Sequence, residues 1–419
     1  MSRKRAVKNG RIAWLGAGVH KSGPVPVPAS PLVSPAGARR AAAAGRADDE
    51  RKGEQLGMPE NSSGRTSAFD APGEVREITS LDDVRAVRVD PKTRFYSAQH
   101  DEIRKGLTTD IYFIRTREIL DKLHLGRIPV VGEIFPRKAG ILAGVGEVLH
   151  LLEGKQVKVW SLPEGGEFAP KDVVMRIEGP YEEFGMFETT ILGFLASSSG
   201  WATAARQVKE AADGRQVICF GARHVHPAVA PVMERAAVIG GVDGASCILA
   251  AKLLGREPSG TVPHAVFLIV GDTVKVAKAY DELMPPDAAR IILVDTFKDE
   301  AEEALRVADA LGKRLAGIRL DTPGERGGVT ADLVAEVRAR LDQAGYDHVK
   351  IFVSGGLYPE KIRELAAAGA HAFGVGSFIS QAPPIDMTLD LKEVAGKPIA
   401  KRGRIPGRIP NEKLELVMG

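Results

Sequence analysis

IILVDTFKDEAEEALRVADALGKRLAGIRLD, residues 291–321, decides the fold. An unbroken apolar run closes on an aspartate. Alanine, leucine and valine then recur at helical spacing among glutamates, and a second apolar run closes on another aspartate. The pattern reads as strand, helix, strand. Strands that are apolar throughout are covered on both faces, and a helix between them returns the chain so that the second strand lies parallel to the first. The alternation extends outward in both directions. VICF (217–220), VFLIV (266–270), VKIFVS (349–354) and AFGVGS (372–377) read as further strands. PAVAPVMERAAVI (227–239), TADLVAEVRARLDQA (330–344) and PEKIRELAAAG (359–369) read as the helices between them. Repeats of roughly 25–30 residues suit either a doubly wound sheet or a barrel, and spacing does not choose.

Upstream of this region lies a helix rich in small residues, ETTILGFLASSSGWATAARQVKEAA (188–212). Before Pro180 the signals are short strands in VGEIFPRKAGILAGVGEV (131–148), VKVWSL (157–162) and VVMRIEG (173–179), with a helix around Ile114 to Leu123. That combination is a small α+β domain. The domain reading is a basic, Pro/Ala-rich disordered extension over 1–86, an α+β sandwich over 87–197, an α/β barrel over 198–385, and a terminal segment over 386–419 that returns to the first domain.

Composition narrows the function. The formal net charge is +3, but residues 1–52 hold eleven Lys/Arg against three acids, so the remainder is net acidic. A nucleic-acid binder would cluster its basic charge on the folded part, so no nucleic-acid partner is expected. The two cysteines, Cys219 and Cys247, have no metal-ligand spacing and suit a reducing cytoplasm. No apolar run approaches the ~20 residues of a membrane span, so no membrane partner is expected. The prolines of PVPVPASP (24–31) would break the amphipathic helix of a transit peptide, which favours a dispensable tail or a true start at Met58.

Ligands of parallel α/β folds bind where strands end, so the segments just past the strands are the candidate site. These are GARHVH (221–226), DTFKDE (295–300), RLDTPGERGG (319–328), SGGL (354–357) and GVGS (374–377). Consecutive small residues in the last two let backbone N–H groups face an anion. Two such turns in succession favour a phosphate site, and a barrel, over mere tight turns. Gly355, Gly356, Gly376 and Ser377 are the phosphate-binding candidates. Asp295 and Asp321 close two central strands and need a cation, either Arg319, Arg326 or Mg²⁺; helix capping by Asp295 is the alternative. Arg223, His224 and His226 crowd one turn. Without a nearby Cys or carboxylate at ligand spacing they are no zinc site, and Arg223 suits a substrate carboxylate instead.

FGARHVHPAVAPVMERAAVIGGVDGASCILAAKLLG and PSGTVPHAVF, within 220–267, closely resemble the nicotinate phosphoribosyltransferase family in its shorter archaeal and bacterial form. So do TTDIYFIRTREIL (108–120), RLDTPGERGG, SGGL, GVGS and KRGRIPG (401–407). The resemblance implies an irregular (β/α) barrel of the type II phosphoribosyltransferase kind with an N-terminal α+β open-faced sandwich. It implies nicotinate and phosphoribosyl pyrophosphate as substrates, Mg²⁺ as cofactor, ATP as co-substrate, and a cytoplasmic homo-oligomer whose site borrows from a neighbour. Tyr112 would stack on the pyridine ring and Arg223 would hold its carboxylate. Gly355, Gly356, Gly376 and Ser377 would bind the ribose 5-phosphate; apart from the resemblance, Lys138 with Arg137 in the loop FPRKAG, and Arg319, suit further phosphate contacts. Asp295 and Asp321 would lie near ribose and Mg²⁺, and His264 would be the histidine that takes a phosphoryl group from ATP. Some archaeal relatives append a cysteine-rich zinc module, which this chain lacks, so no structural zinc is expected. The rivals are quinolinate phosphoribosyltransferase, which also decarboxylates, and a non-catalytic phosphosugar-binding barrel.

Overall fold

The structure is a computed structural model, and it describes residues 77–89, 92 and 94–419. Most of the extension assigned to 1–86 therefore lies outside the described residues. Its end does not fit that assignment. Leu81–Ala86 is a helix capped at Ser80, whose hydroxyl accepts from the Asp83 N–H while the Asp83 carboxylate reaches back to the cap. Ile78, just before it, is buried in the first core. A capping box supplies the partners that so short a helix lacks internally.

The first sheet is antiparallel. Its strands are β1 (Pro129–Pro136), β3 (Lys158–Ser161), β5 (Met175–Pro180), β12 (Met387–Val394), β13 (Lys397–Pro398) and β14 (Glu415–Met418), in the order β13-β12-β1-β5-β3-β14. The two-residue strands β2 (Gly140–Ile141) and β4 (Glu167–Phe168) pair apart from it. The alternation that reads as strand through 131–148 ends sooner, because Val145–Leu152 is a helix. Its buried Val145, Val148, Leu151 and Leu152 follow a helical period. One face of the sheet carries an apolar core with Ile134, Met175 and Ile177. The other carries a charged row. Glu133 of β1 stands opposite Arg176 of β5, and the two pair at 2.8 Å.

The second sheet is parallel throughout, with β6 (Gln216–Cys219), β7 (Gly244–Ala245), β8 (Arg290–Leu293), β9 (Leu315–Leu320), β10 (Lys350–Ser354) and β11 (Ala372–Val375). The order is β7-β6-β11-β10-β9-β8. Its edges, β7 and β8, do not pair with one another, so the barrel is an open one. VFLIV (266–270) does not join it. His264–Val270 is a helix, entered from Pro263 and closed by left-handed Gly271. Phe267 is buried in the core and Val266 packs partly against it, whereas Leu268 and Ile269 are exposed, so an apolar run too short to show a period had fitted both states.

The helix Glu188–Ala211 spans about 36 Å at 1.5 Å per residue. Ile191 and Leu195 at its start belong to the core of the first sheet; Ala205, Val208 and Ala211 belong to the barrel core.

Candidate active site

A cleft of about 390 Å³ opens at the carboxyl ends of the parallel strands. Fully apolar strands put side chains into the core on both faces, so polar groups collect where the strands stop. Arg223, His264, Arg319, Asp321, Gly355, Gly356, Gly376 and Ser377 all line this one cleft.

At its floor Arg319, at the end of β9, spreads its guanidinium over three partners. Nε donates to Ser354 Oγ at 2.8 Å, Nη1 donates to Thr261 Oγ1 at 3.0 Å, and Nη2 stands 3.4 Å from Asp321 Oδ2. The Ser354 hydroxyl in turn donates to Asp321 Oδ1 at 2.7 Å. The guanidinium also lies 5.3 Å from the centre of the Phe220 ring. A planar fork held by partners in different directions is a rigid positive surface. Directly beyond Ser354, Gly355 and Gly356 have φ of +92° and +61°. A Cβ on Gly355 would also stand 3.1 Å from Asp321 Oδ1, so both backbone conformation and space require glycine there. Gly374 is constrained differently, since a Cβ would meet the Phe220 ring at 2.3 Å.

His264, also in the cleft lining, begins its helix and places Nε2 3.1 Å from Asp295 Oδ2. Asp295 lies behind the histidine rather than in the cleft lining, its side chain wholly buried. Burial pushes its carboxyl above the usual range, opposed by the hydrogen bond to His264. The other oxygen, Oδ1, and the adjacent Thr296 hydroxyl are buried without a hydrogen-bond partner among the described residues. Two orphaned polar atoms at a strand end need a partner, and a ligand group or a cation would satisfy them. Among the described residues no group of three or more His, Cys, Asp or Glu could hold a metal by itself. The donors therefore fit Mg²⁺ only in its usual manner, on one or two carboxylates completed by substrate oxygens and water.

Arg223 sits in a short 3-10 helix, Ala222–His224, after β6. It is exposed, its Nε donates to His224 Nε2 at 3.2 Å, and no carboxylate of the described residues pairs with it. His224 is steadied by Ser380 Oγ at 3.3 Å. Two expected site residues are not brought here. Tyr112 is 53% exposed on the helix Ile111–Lys122, beside Phe113, and Lys138 is exposed in the turn between β1 and β2; neither lines the cleft. Arg137 is also engaged elsewhere, paired with Asp386 at 3.1 Å. Reading the sequence missed Phe220 and Thr261 as site residues, and it named Ser354 only as the opening residue of SGGL. Phe220 had no signal, because its ring meets Gly374 only through the neighbouring of β6 with β11.

Fold and cleft together define an open parallel α/β barrel protein with a cleft lined by arginine, carboxylate and glycine residues at its strand ends. Residues 110–199 match the N-terminal domain model of quinolinate phosphoribosyl transferase and residues 201–390 match the C-terminal domain model. A nicotinate-nucleotide pyrophosphorylase from Pyrococcus furiosus, known by crystal structure, is 49% identical with a TM-score of 0.72, over 75% of this chain and 82% of that one. Human nicotinic acid phosphoribosyltransferase shares the fold at 19% identity and a TM-score of 0.57, over 72% of this chain and 77% of that one. A nicotinate phosphoribosyltransferase of Mycobacterium tuberculosis is 33% identical over 264 residues, 60% of this chain and 55% of the relative. The chain thus spans about half the length of that curated relative. It belongs to the type II phosphoribosyltransferase family, which takes in the quinolinate and nicotinate phosphoribosyltransferases.

Proposed function

We propose that this protein is a nicotinate phosphoribosyltransferase of NAD biosynthesis, joining nicotinate to phosphoribosyl pyrophosphate. The observation that carries the reading is a single cleft in which the Arg223 guanidinium, paired with no carboxylate of the described residues, the glycine turns after β10 and β11, the held carboxylate of Asp321 and His264 face one space. Arg223 receives the pyridine carboxylate in a two-pronged contact. The N–H groups around Gly355, Gly356, Gly376 and Ser377 receive the ribose 5-phosphate. The pyridine nitrogen has a free lone pair, so no general base is required. Its bond to the sugar C1 forms as the C1–O bond breaks, and pyrophosphate leaves with the electron pair. Asp321, fixed by Ser354 and Arg319, faces the positive charge that develops on the ribose. Mg²⁺, held through Asp295 or Asp321 and the diphosphate, would offset the charge of the leaving group.

His264 couples the transfer to ATP. With Asp295 ionised and accepting from Nε2, a neutral His264 ring carries its proton there and presents its lone pair at Nδ1. Nδ1 takes the γ-phosphoryl group with release of ADP, and Asp295 balances the positive charge on the substituted ring. Tyr112 and Lys138 stand outside the cleft, and a cytoplasmic homo-oligomer in which a neighbouring copy supplies them accounts for this.

Quinolinate is the second reading, favoured by the quinolinate family models and by the name of the P. furiosus protein. His224 and Arg319, in the same cleft as Arg223, are the groups that could receive a second carboxylate. The deciding experiment incubates the protein with phosphoribosyl pyrophosphate and either nicotinate or quinolinate, with and without ATP, following nucleotide and carbon dioxide. Nucleotide from nicotinate with no gas supports the first reading. Carbon dioxide from quinolinate, with nicotinate inert, overturns it.

A further inference from the structure

The barrel contains a carboxylate that the chemistry above does not use. Glu234 lies on the helix Ala230–Gly240, is wholly buried, and has no cation paired with it among the described residues. A buried carboxylate is costly unless every partner is in place. All of its partners are neutral donors, and they come from two different strand ends. Oε1 accepts from the Ala222 N–H at 3.1 Å and from the Ser246 hydroxyl at 2.8 Å. Oε2 accepts from the Cys247 N–H at 2.6 Å. Ala222 opens the turn that carries Arg223 and His224 after β6, and Ser246 and Cys247 form the turn after β7. Arg223, His224 and Ser246 line the cleft, whereas Glu234 does not.

We infer that Glu234 is a positioning residue: one buried carboxylate clamps the turns after β6 and β7 together and so sets where the Arg223 guanidinium stands. Three features make this more than general packing. The turn after β7 follows a strand of only two residues, Gly244–Ala245, at the edge of the open sheet, so the ladder alone holds it weakly. Arg223 is exposed and has no carboxylate partner among the described residues, so its place is set by its backbone and His224. The acceptor geometry also requires oxygen at both positions. In glutamine one of them becomes an NH₂ group, which would face a donor with a donor. The clamp acts on the wall that receives the pyridine carboxylate and leaves the Gly355–Gly356 turn untouched.

The role in substrate binding rests on the proposed transfer reaction, so the test has two independent arms. In kinetics, Glu234→Gln should raise the KM for the pyridine carboxylate by about ten-fold while the KM for phosphoribosyl pyrophosphate stays within about two-fold, because a displaced guanidinium is felt only by the group it holds. Equal changes in the two KM values, or none, would overturn the positioning role. In amide hydrogen exchange on the unaltered full-length protein, the Ala222 and Cys247 amides should be protected although both lie at turns, and Glu234→Gln should release them while the amide of Phe373 stays protected. Fast exchange at Ala222 and Cys247 in the unaltered protein refutes the clamp without any variant. If that protein turns over neither nicotinate nor quinolinate, the transferase reading fails and the exchange arm still decides the clamp.

Discussion

His264 and Asp295 meet because a helix begins where β8 has just ended, and the 3.1 Å contact fixes which imidazole nitrogen is free. His264→Ala should therefore leave slow transfer from nicotinate intact while abolishing its stimulation by ATP. Steady-state rates with and without ATP measure this, and unchanged stimulation would remove His264 from the coupling. Arg319 tests geometry rather than charge. Lysine keeps the charge but cannot reach Ser354, Thr261 and Asp321 from one plane. Arg319→Lys should lower kcat/KM by at least about ten-fold, with little change in thermal midpoint. A lysine variant of near-normal activity would show that charge alone suffices. At this scale much was legible in advance. Arg223, Arg319, Asp321 and the glycines follow from one rule about where parallel strands end. Thr261 was not, because no local pattern tells that a loop before His264 folds back onto β9.

Among the elements, the helix Glu188–Ala211 places an acid where helix physics favours one, yet the surroundings do not. Negative charge at a helix N-terminus gains about 0.3–1 kcal/mol. Burial and the nearby Asp390 outweigh that gain and push the Glu188 carboxyl up to about 7. The raised value makes the ionised form the costly one in the folded state. The folded protein is thus unpenalised below the ordinary value of 4.5 and loses stability through this group as pH rises to about 7. Glu188→Gln should remove that decline and stabilise the protein at pH 8 by about 1–2 kcal/mol after allowance for solvent screening. Denaturant midpoints measured across pH test it, and a variant that retains the wild-type decline would assign the effect elsewhere. The elements also show where reading a sequence fails. VFLIV has neither the length nor the polar interruptions that separate strand from helix. Only its exposed Leu268 and Ile269 disclose that no sheet covers it.

For the whole molecule, the same long helix contributes Ile191 and Leu195 to one core and Val208 to the other. Neither core can melt without stripping a helix from its neighbour. A single calorimetric transition, with equal calorimetric and van't Hoff enthalpies, is expected for the described region. Two resolved transitions would show that the cores are energetically separate. The pairing of β1 with β12 has a bearing on biosynthesis. Ile134 meets Leu389 only after every strand of the barrel has been translated. On the ribosome the first sheet to be started is therefore among the last to be finished, and its central strand waits with one edge bare while the barrel assembles.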